Sequence, residues 1–384
     1  MAAPLERGAG GGPGAWRVPS ARPSIPVRAV ESELARLWAD APQSPDAPPS
    51  PGAIRACTLN LVIAAGVGEG PQDLTPLVAE VMAEHPCRAL LLLEEPGVGA
   101  SVQAMVGGLC HRSTAGGGLV CGEEVHLTAG GEGRRAAAGA ALSLLVANLP
   151  VVLWWRGGSP AADERFTRLA GVADRVLLDS ARLGEAGVGL PALADLVEQY
   201  RHAALTDLQW GRLTPWRSLT AQFFDAPEVR PCLTRLAEVT VAFGPTPSGV
   251  SQALLYAGWF GSRLGWRGTG AASREADGGM RATLEREGGA VRLLFRAAAA
   301  PATDGLIGIS ILVEDPPARF RLDLAADGVC VMSEAELAGR PSLSRTVCVE
   351  GLGEAALIRQ ELRLPGRDPV FEEALRAAAA LAPR

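Results

Sequence analysis

The spacing of apolar residues changes character along this chain. Val27, Val30, Leu34, Leu37 and Trp38 fall on one face of a helix. From Ile54 short apolar runs alternate with helical patterns. Thr58–Ala64, Arg88–Leu93, Leu119–Thr128, Pro150–Trp155 and Arg175–Asp179 read as strands, with Gln72–His85, Arg134–Val146 and Asp163–Gly171 as helices among them. Arg88–Leu93 is apolar from Ala89 onward, the pattern of a strand covered on both faces. Strands alternating with helices predict βαβ units and a mostly parallel sheet. Helical patterns at Leu190–Leu205, Thr214–Phe224 and Ser248–Leu264 follow, with Glu238–Phe243 as a further strand.

Past Gly265 the runs become short and alternating: Arg281–Glu287, Val291–Ala297, Ile307–Glu314, Phe320–Ala325 and Val329–Ser333. Asp327-Gly328 is a hairpin signal, and Phe371–Leu381 closes the chain as a helix. The expected fold is an α/β N-terminal domain with a mostly parallel sheet, then a smaller α+β domain of mainly antiparallel strands. The expected boundaries are a disordered tail over 1–24, an N-terminal helix over 25–40 and a Pro-rich linker over 41–52. An α/β domain over 53–266, a Gly-rich linker over 267–280 and a β-rich domain over 281–384 complete the division. The first helix is thus tethered, free to dock on the body or on a partner.

Composition narrows the class. The 384 residues are 48% apolar and 20% charged, a globular profile, with a formal net charge of -6. That balance argues against a nucleic-acid binder working through a general basic field. The longest apolar runs, Ala136–Leu153 and Ala89–Leu93, are interrupted or short of the roughly 20 residues a bilayer span needs, so no membrane association is expected. The N-terminus lacks a secretory pattern, and a cytoplasmic location is expected. The seven scattered cysteines then read mostly as buried thiols.

A search for chemistry yields no expected catalytic, cofactor-binding or metal-ligating residue. Gly66-Val67-Gly68-Glu69-Gly70 follows a strand without G-x-G-x-x-G spacing, and the glycines of 107–118 do not end in Gly-Lys-Ser/Thr. Cys110, His111, Cys121 and His126 lie close in sequence, but their spacing points them to different faces of regular strands. A redox role for Cys110 and Cys121 is a weaker alternative. Glu94-Glu95 and Glu123-Glu124 read as solvated edges. Trp and Arg concentrate in three places: Trp154-Trp155-Arg156, the run holding Trp210, Arg212, Trp216, Arg217, Phe223 and Phe224, and Trp259, Phe260 and Trp266 with Arg263 and Arg267. Such residues anchor protein interfaces, although any single Trp more commonly fills a core.

Six runs carry a family likeness: RACTLNLVI (55–63), the CH…GGG…VCGEEVHL region (110–127), LPVVLWWRG (149–157), ADRVLLDSAR (173–182), DLQWGRLTPWRSLTAQFFD (207–225) and ALLYAGWFGSRLGW (253–266). The chain resembles the glucose-6-phosphate dehydrogenase assembly protein (OpcA) family from about residue 25 to 266. The β-rich remainder fits that family's two-domain layout by pattern and position. The resemblance implies a non-catalytic bacterial subunit that binds glucose-6-phosphate dehydrogenase, promotes its active oligomer and raises its activity in the oxidative pentose phosphate pathway. Contact is expected at Trp154, Trp155, Arg156, Trp210, Arg212, Trp216, Arg217, Phe223 and Phe224. Where family members often read Val-Cys-Cys-Glu this chain reads Val120-Cys121-Gly122-Glu123, and its first cysteine is Cys57. The alternatives are a sugar-phosphate-binding α/β enzyme using Arg156 and Arg182, or a scaffold for another partner.

Overall fold

The computed structural model describes residues 6–7, 15–19, 24–39, 54–95, 101–112, 118–131, 133–184, 189–268, 270–298, 304–348 and 353–383. The expected linker at 41–52 lies outside them. In chain order the first elements are β1 (Glu6–Arg7), β2 (Ala15–Pro19), β3 (Ile25–Pro26), α1 (Val30–Ala39), β4 (Ile54–Arg55), β5 (Leu59–Ala64), α2 (Pro71–Met82), β6 (Cys87–Glu94), β7 (Gln103–Arg112) and β8 (Leu119–Ala129). They continue with α3 (Gly133–Ser143), β9 (Val151–Trp155), α4 (Glu164–Ala170), β10 (Arg175–Leu178), α5 (Gly189–Gln199), β11 (Ala204–Asp207), α6 (Leu208–Arg212), α7 (Thr214–Phe223), β12 (Leu236–Phe243) and α8 (Pro247–Arg263). The remainder is β13 (Arg267–Gly268), β14 (Ser273–Arg274), β15 (Met280–Arg286), β16 (Gly289–Ala297), β17 (Leu306–Val313), β18 (Ala318–Leu324), β19 (Cys330–Leu337), β20 (Leu343–Cys348), α9 (Glu354–Leu362) and α10 (Pro369–Leu381).

The first sheet runs β1-β2-β7-β8-β6-β5-β9-β10-β11. From β8 onward its order, counting from β5 and leaving out the antiparallel β7, is 3-2-1-4-5-6, that of a doubly wound dinucleotide-binding fold. The pairs β6–β8, β5–β6, β5–β9 and β9–β10 are all parallel. Every residue of β5 is buried, and so are the first seven of β6, as a sheet covered on both faces requires. The second sheet runs β13-β15-β16-β12-β17-β18-β19-β20, antiparallel except where β12 meets β16. An α/β sheet and a mainly antiparallel sheet are what the periodicity predicts.

The compact units do not follow the expected boundaries. One comprises 1–178, 202–205 and 353–366; the other 179–201, 206–352 and 367–384. The division falls at 178/179 and not near 266, because β12 sits centrally in the antiparallel sheet and α8 packs on β12 and α10. The expected Gly-rich linker contains β13 and β14, both paired with β15. Nor is 1–24 a tail throughout: Ala15–Pro19 pairs antiparallel with β7, and Val18 is buried.

The N-terminal helix docks on its own unit. Arg88 donates to Glu31 of α1 at 2.6 Å and to Glu123 of β8 at 2.7 Å, while the Trp38 indole donates to Glu123 at 2.9 Å. Arg55 reaches Glu123 at 2.6 Å. Glu123 and Glu124 are therefore not a solvated edge; both are buried. Inside a sheet such carboxylates persist only with charged and hydrogen-bonded partners. Glu124 faces Thr75 at 2.7 Å, His126 at 3.2 Å and Arg17 at 3.4 Å.

Four of the seven cysteines are paired. Cys110 and Cys121 stand opposite each other on β7 and β8, Cys330 and Cys348 on β19 and β20, and both pairs are bonded. Cys57, Cys87 and Cys232 are free. Strand register, which brings residues together across a ladder, is not readable from cysteine spacing alone. Among the described residues no helix is long and apolar enough to cross a membrane.

Candidate functional site

In a doubly wound sheet the ligand crevice lies where strand order reverses, outside the carboxyl ends of the two central strands. Here those strands are β5 and β9, which pair to Ala64↔Trp155. The next residue, Arg156, is buried. Its Nε and Nη2 donate to the two Glu69 oxygens at 2.8 and 2.7 Å, and its Nη1 donates to Glu354 of α9 at 2.7 Å. Its guanidinium also lies 4.6 Å from the Trp154 ring centroid. Burial works against the charge, but the hydrogen bonds to Glu69 and Glu354 outweigh it and raise the Arg156 pKa.

Two backbone donors of this turn are engaged by carboxylates. Gly66 N–H donates to Glu69 at 2.8 Å, and Gly70 N–H at the α2 N-terminus donates to Asp73 at 2.9 Å. In this topology those donors would meet a pyrophosphate. Two carboxylates occupy them instead, and a Cβ at Gly66 would come within 3.0 Å of the Arg156 carbonyl. Like charge and filled space make the crevice a poor fit for a dinucleotide. Arg156 is equally unavailable as a phosphate contact unless it releases both carboxylates. Trp154 and Trp155 point to opposite faces and are both buried, Trp155 against Phe166 with centroids 5.2 Å apart.

The second expected cluster lies on α6 and α7. Trp210 is buried, donates from its indole to Asp368 at 3.1 Å and packs on Phe371 with centroids 5.6 Å apart. Arg217 stacks over the Trp210 ring at 3.4 Å and donates to Thr214 at 3.0 Å. Trp216 and Phe224 are buried, the latter 5.0 Å from the Phe320 ring. Arg212, Arg217 and Phe223 are half-buried. Of the nine expected contact residues, then, Trp154, Trp155 and Arg156 of one unit and Trp210, Trp216 and Phe224 of the other are buried within their own units. Only Arg212, Arg217 and Phe223 keep appreciable exposure.

The domain families that match the chain are described as the glucose-6-phosphate dehydrogenase subunit N-terminal domain, over residues 78–195, and the C-terminal domain of the same subunit, over residues 203–375. The chain belongs to the glucose-6-phosphate dehydrogenase assembly protein (OpcA) family. Similar proteins include OpcA of Nostoc punctiforme, provisionally assigned to the OxPP cycle and 28% identical over 81% of this chain and 68% of its own length. The Synechocystis OpcA is 32% identical over 48% of this chain and 38% of its own, and that of Synechococcus elongatus 27% over 79% and 70%. Among solved structures, the WlbA dehydrogenase of Thermus thermophilus is similar at TM-score 0.42 and 13% identity, covering 84% of this chain and 94% of that one. The UDP-N-acetylglucosamine 3-dehydrogenase GnnA of Acidithiobacillus ferrooxidans gives TM-score 0.41 and 11% identity over 86% and 97%.

In this family member one polar network escapes sequence reasoning. The Gln209 amide of α6 donates to Asp179 at 2.8 Å, and its carbonyl accepts from Ser248 and Gln252 of α8, both at 2.8 Å. Asp207 caps α6, accepting from Gln209 N–H and Ser180 N–H at 3.0 Å. Burial and the nearby Asp179 push its pKa up to about 7. Aspartate and serine in DLQWG and LLDSA have no signature spacing, so nothing in the sequence marks them as partners. The cluster fixes α6 and α8 in place beneath the Trp210–Arg217 stack. Likewise Glu69 and Glu354 lie 285 positions apart, and only the fold brings both to Arg156.

Proposed function

We propose that this protein is a non-catalytic bacterial subunit that binds glucose-6-phosphate dehydrogenase, promotes its assembly into the active oligomer and raises its activity. The observation that carries this reading is the ordered match of both family domains. The Arg156–Glu69–Glu354 cluster supports it, because it fills the crevice where a doubly wound sheet takes its cofactor. The mechanism is linkage: a subunit that prefers the active dehydrogenase conformer shifts the population toward it. If the active form is rare, a tenfold activation requires only about 1.4 kcal/mol of differential binding. The contact includes Arg212, Arg217 and Phe223, supported from within by Trp210, Trp216 and Phe224, and a second part in the other unit built on Trp154, Trp155 and Arg156. A cytoplasmic location follows from that partner.

The test is a titration into the same organism's purified dehydrogenase, following activity and particle mass together at a low glucose-6-phosphate level. Saturable activation with a rise in mass is expected. Two folded proteins that neither associate nor alter activity would overturn the reading.

A further inference from the structure

The last strand of the antiparallel sheet, β20, has a free outer edge among the described residues. It pairs with β19 in unbroken register from Cys330↔Cys348 to Ala335↔Leu343. Edge strands are commonly blunted by a proline, a bulge or several charges, because their unpaired backbone groups invite another strand. The LSRTVC run of β20 has no proline, no bulge and one charge, and the Cys330–Cys348 bond pins its end. On the face that turns toward α7, a groove of about 270 Å³ opens beside this edge. Phe223, Val229, Phe320, Ala335, Leu337 and Leu343 give it an apolar lining. Leu343 is 69% exposed. Arg345, two residues along the same face, is exposed, and among the described residues its guanidinium donates to the neutral Gln222 amide with no ion pair to a carboxylate.

We propose that this edge and groove receive an extended segment of the partner dehydrogenase, added to the sheet as a further strand beside β20. The proposal rests on the reading given above. Backbone pairing supplies affinity in such strand addition, and alternate side chains supply selectivity. Because side chains on one face recur every second residue, the incoming strand carries a bulky apolar side chain beside Leu343, reaching into the groove. Two positions away it carries an aspartate or glutamate against Arg345. Arg345 is the one charged residue lining a groove whose other polar members, Gln222, Ser333 and Ser344, are neutral, and it selects that charge: a basic segment would be repelled, and a purely apolar one would give the guanidinium no counter-charge.

Hydrogen exchange and binding measurements on the full chain with its purified dehydrogenase test this. In the complex the amides of 343–348 gain protection. Arg345→Glu, at an exposed position that leaves the fold intact, weakens the complex at least tenfold, and Ala335→Trp does the same by filling the groove. If the wild-type protein binds while Arg345→Glu binds equally well and 343–348 stay unprotected, this placement falls and the subunit reading stands. If the wild-type protein does not bind the dehydrogenase at all, both fall. Protection of 343–348 that grows with protein concentration in the absence of the dehydrogenase puts a second copy on the edge and overturns the proposal.

Discussion

Arg156 grips Glu69 at two points, Nε to Oε2 and Nη2 to Oε1, across the place where strand order reverses in the parallel sheet. The fork geometry of a guanidinium matches both carboxylate oxygens, which a lysine cannot do. Its third arm reaches Glu354, so that one buried cation joins the β5–α2 turn, the end of β9 and α9. The crevice is thereby a structural joint.

Removing that cation leaves two carboxylates side by side with little water: Glu69 and Glu354 side chains are 17% and 19% exposed. Breaking a buried pair from one side costs about 3–5 kcal/mol. Arg156→Ala is expected to lose stability of that order in urea denaturation at pH 7, and Arg156→Lys to recover only part of it. A loss under about 1 kcal/mol would mean that the pair behaves as an exposed one.

The acid limb of stability should report Glu124. Burial acts to raise its pKa, but His126, Thr75 and Arg17 together outweigh burial and lower it below the usual 4.5. The folded state therefore holds this proton more weakly than the unfolded chain. Its stabilising contribution is fully present above the unfolded value and is lost as pH falls through the folded one. Glu124→Gln is expected to cost roughly 1–3 kcal/mol at pH 7 and to show a smaller deficit near pH 3. A deficit independent of pH would show that the carboxylate's charge contributes nothing there.

Asp207 has the opposite sign. Its folded pKa is raised from 3.8 to about 7 by burial and by Asp179, so the fold binds its proton more tightly than the unfolded chain does. Stability is favoured at low pH and declines as pH climbs from about 4 through 7. Asp207→Asn keeps the helix cap without the charge. It should be more stable than wild type by roughly 2–4 kcal/mol at pH 8 and nearly equal to it at pH 4, read from denaturation midpoints at the two values. Equal stability at pH 8 would mean that the carboxylate is ionised at little cost.

These charged groups mark where sequence reading stops. Periodicity exposed the alternation of strands and helices over 58–179 because a sheet covered on both faces demands continuous apolar runs. It did not reveal β7, where Gly107-Gly108 interrupts the apolar pattern; a Cβ at Gly108 would come within 2.9 Å of the Trp38 ring. It extended the helix that ends at Gln199 through Leu205, where the chain instead forms β11, since Ala203, Ala204 and Leu205 suit either element. The Trp–Arg runs were visible as unusual, but exposure is a tertiary property, and most of those side chains fold inward. Glu123 reads as an edge because its partners Arg55, Arg88 and Trp38 come from three other elements.

The cluster on α6 and α7 offers a way to separate packing from recognition. Trp216 is 5% exposed, so Trp216→Ala should destabilise the protein by about 3–5 kcal/mol, and any loss of dehydrogenase activation in that variant is ambiguous. Arg217 differs: its guanidinium covers the Trp210 ring at 3.4 Å while part of the side chain meets solvent. A stack of this kind contributes about 0.5–2 kcal/mol, so Arg217→Ala should remain folded with a small drop in melting temperature. If the surface above Trp210 touches the dehydrogenase, Arg217→Ala weakens complex formation severalfold, seen as a higher subunit concentration for half-maximal activation. Arg217→Lys keeps the charge but loses planar stacking and should fall between the two. A folded Arg217→Ala protein that activates at the wild-type concentration would remove the surface above Trp210 from the contact and leave the β20 edge, with Phe223 of α7 at its groove, as the surface to test.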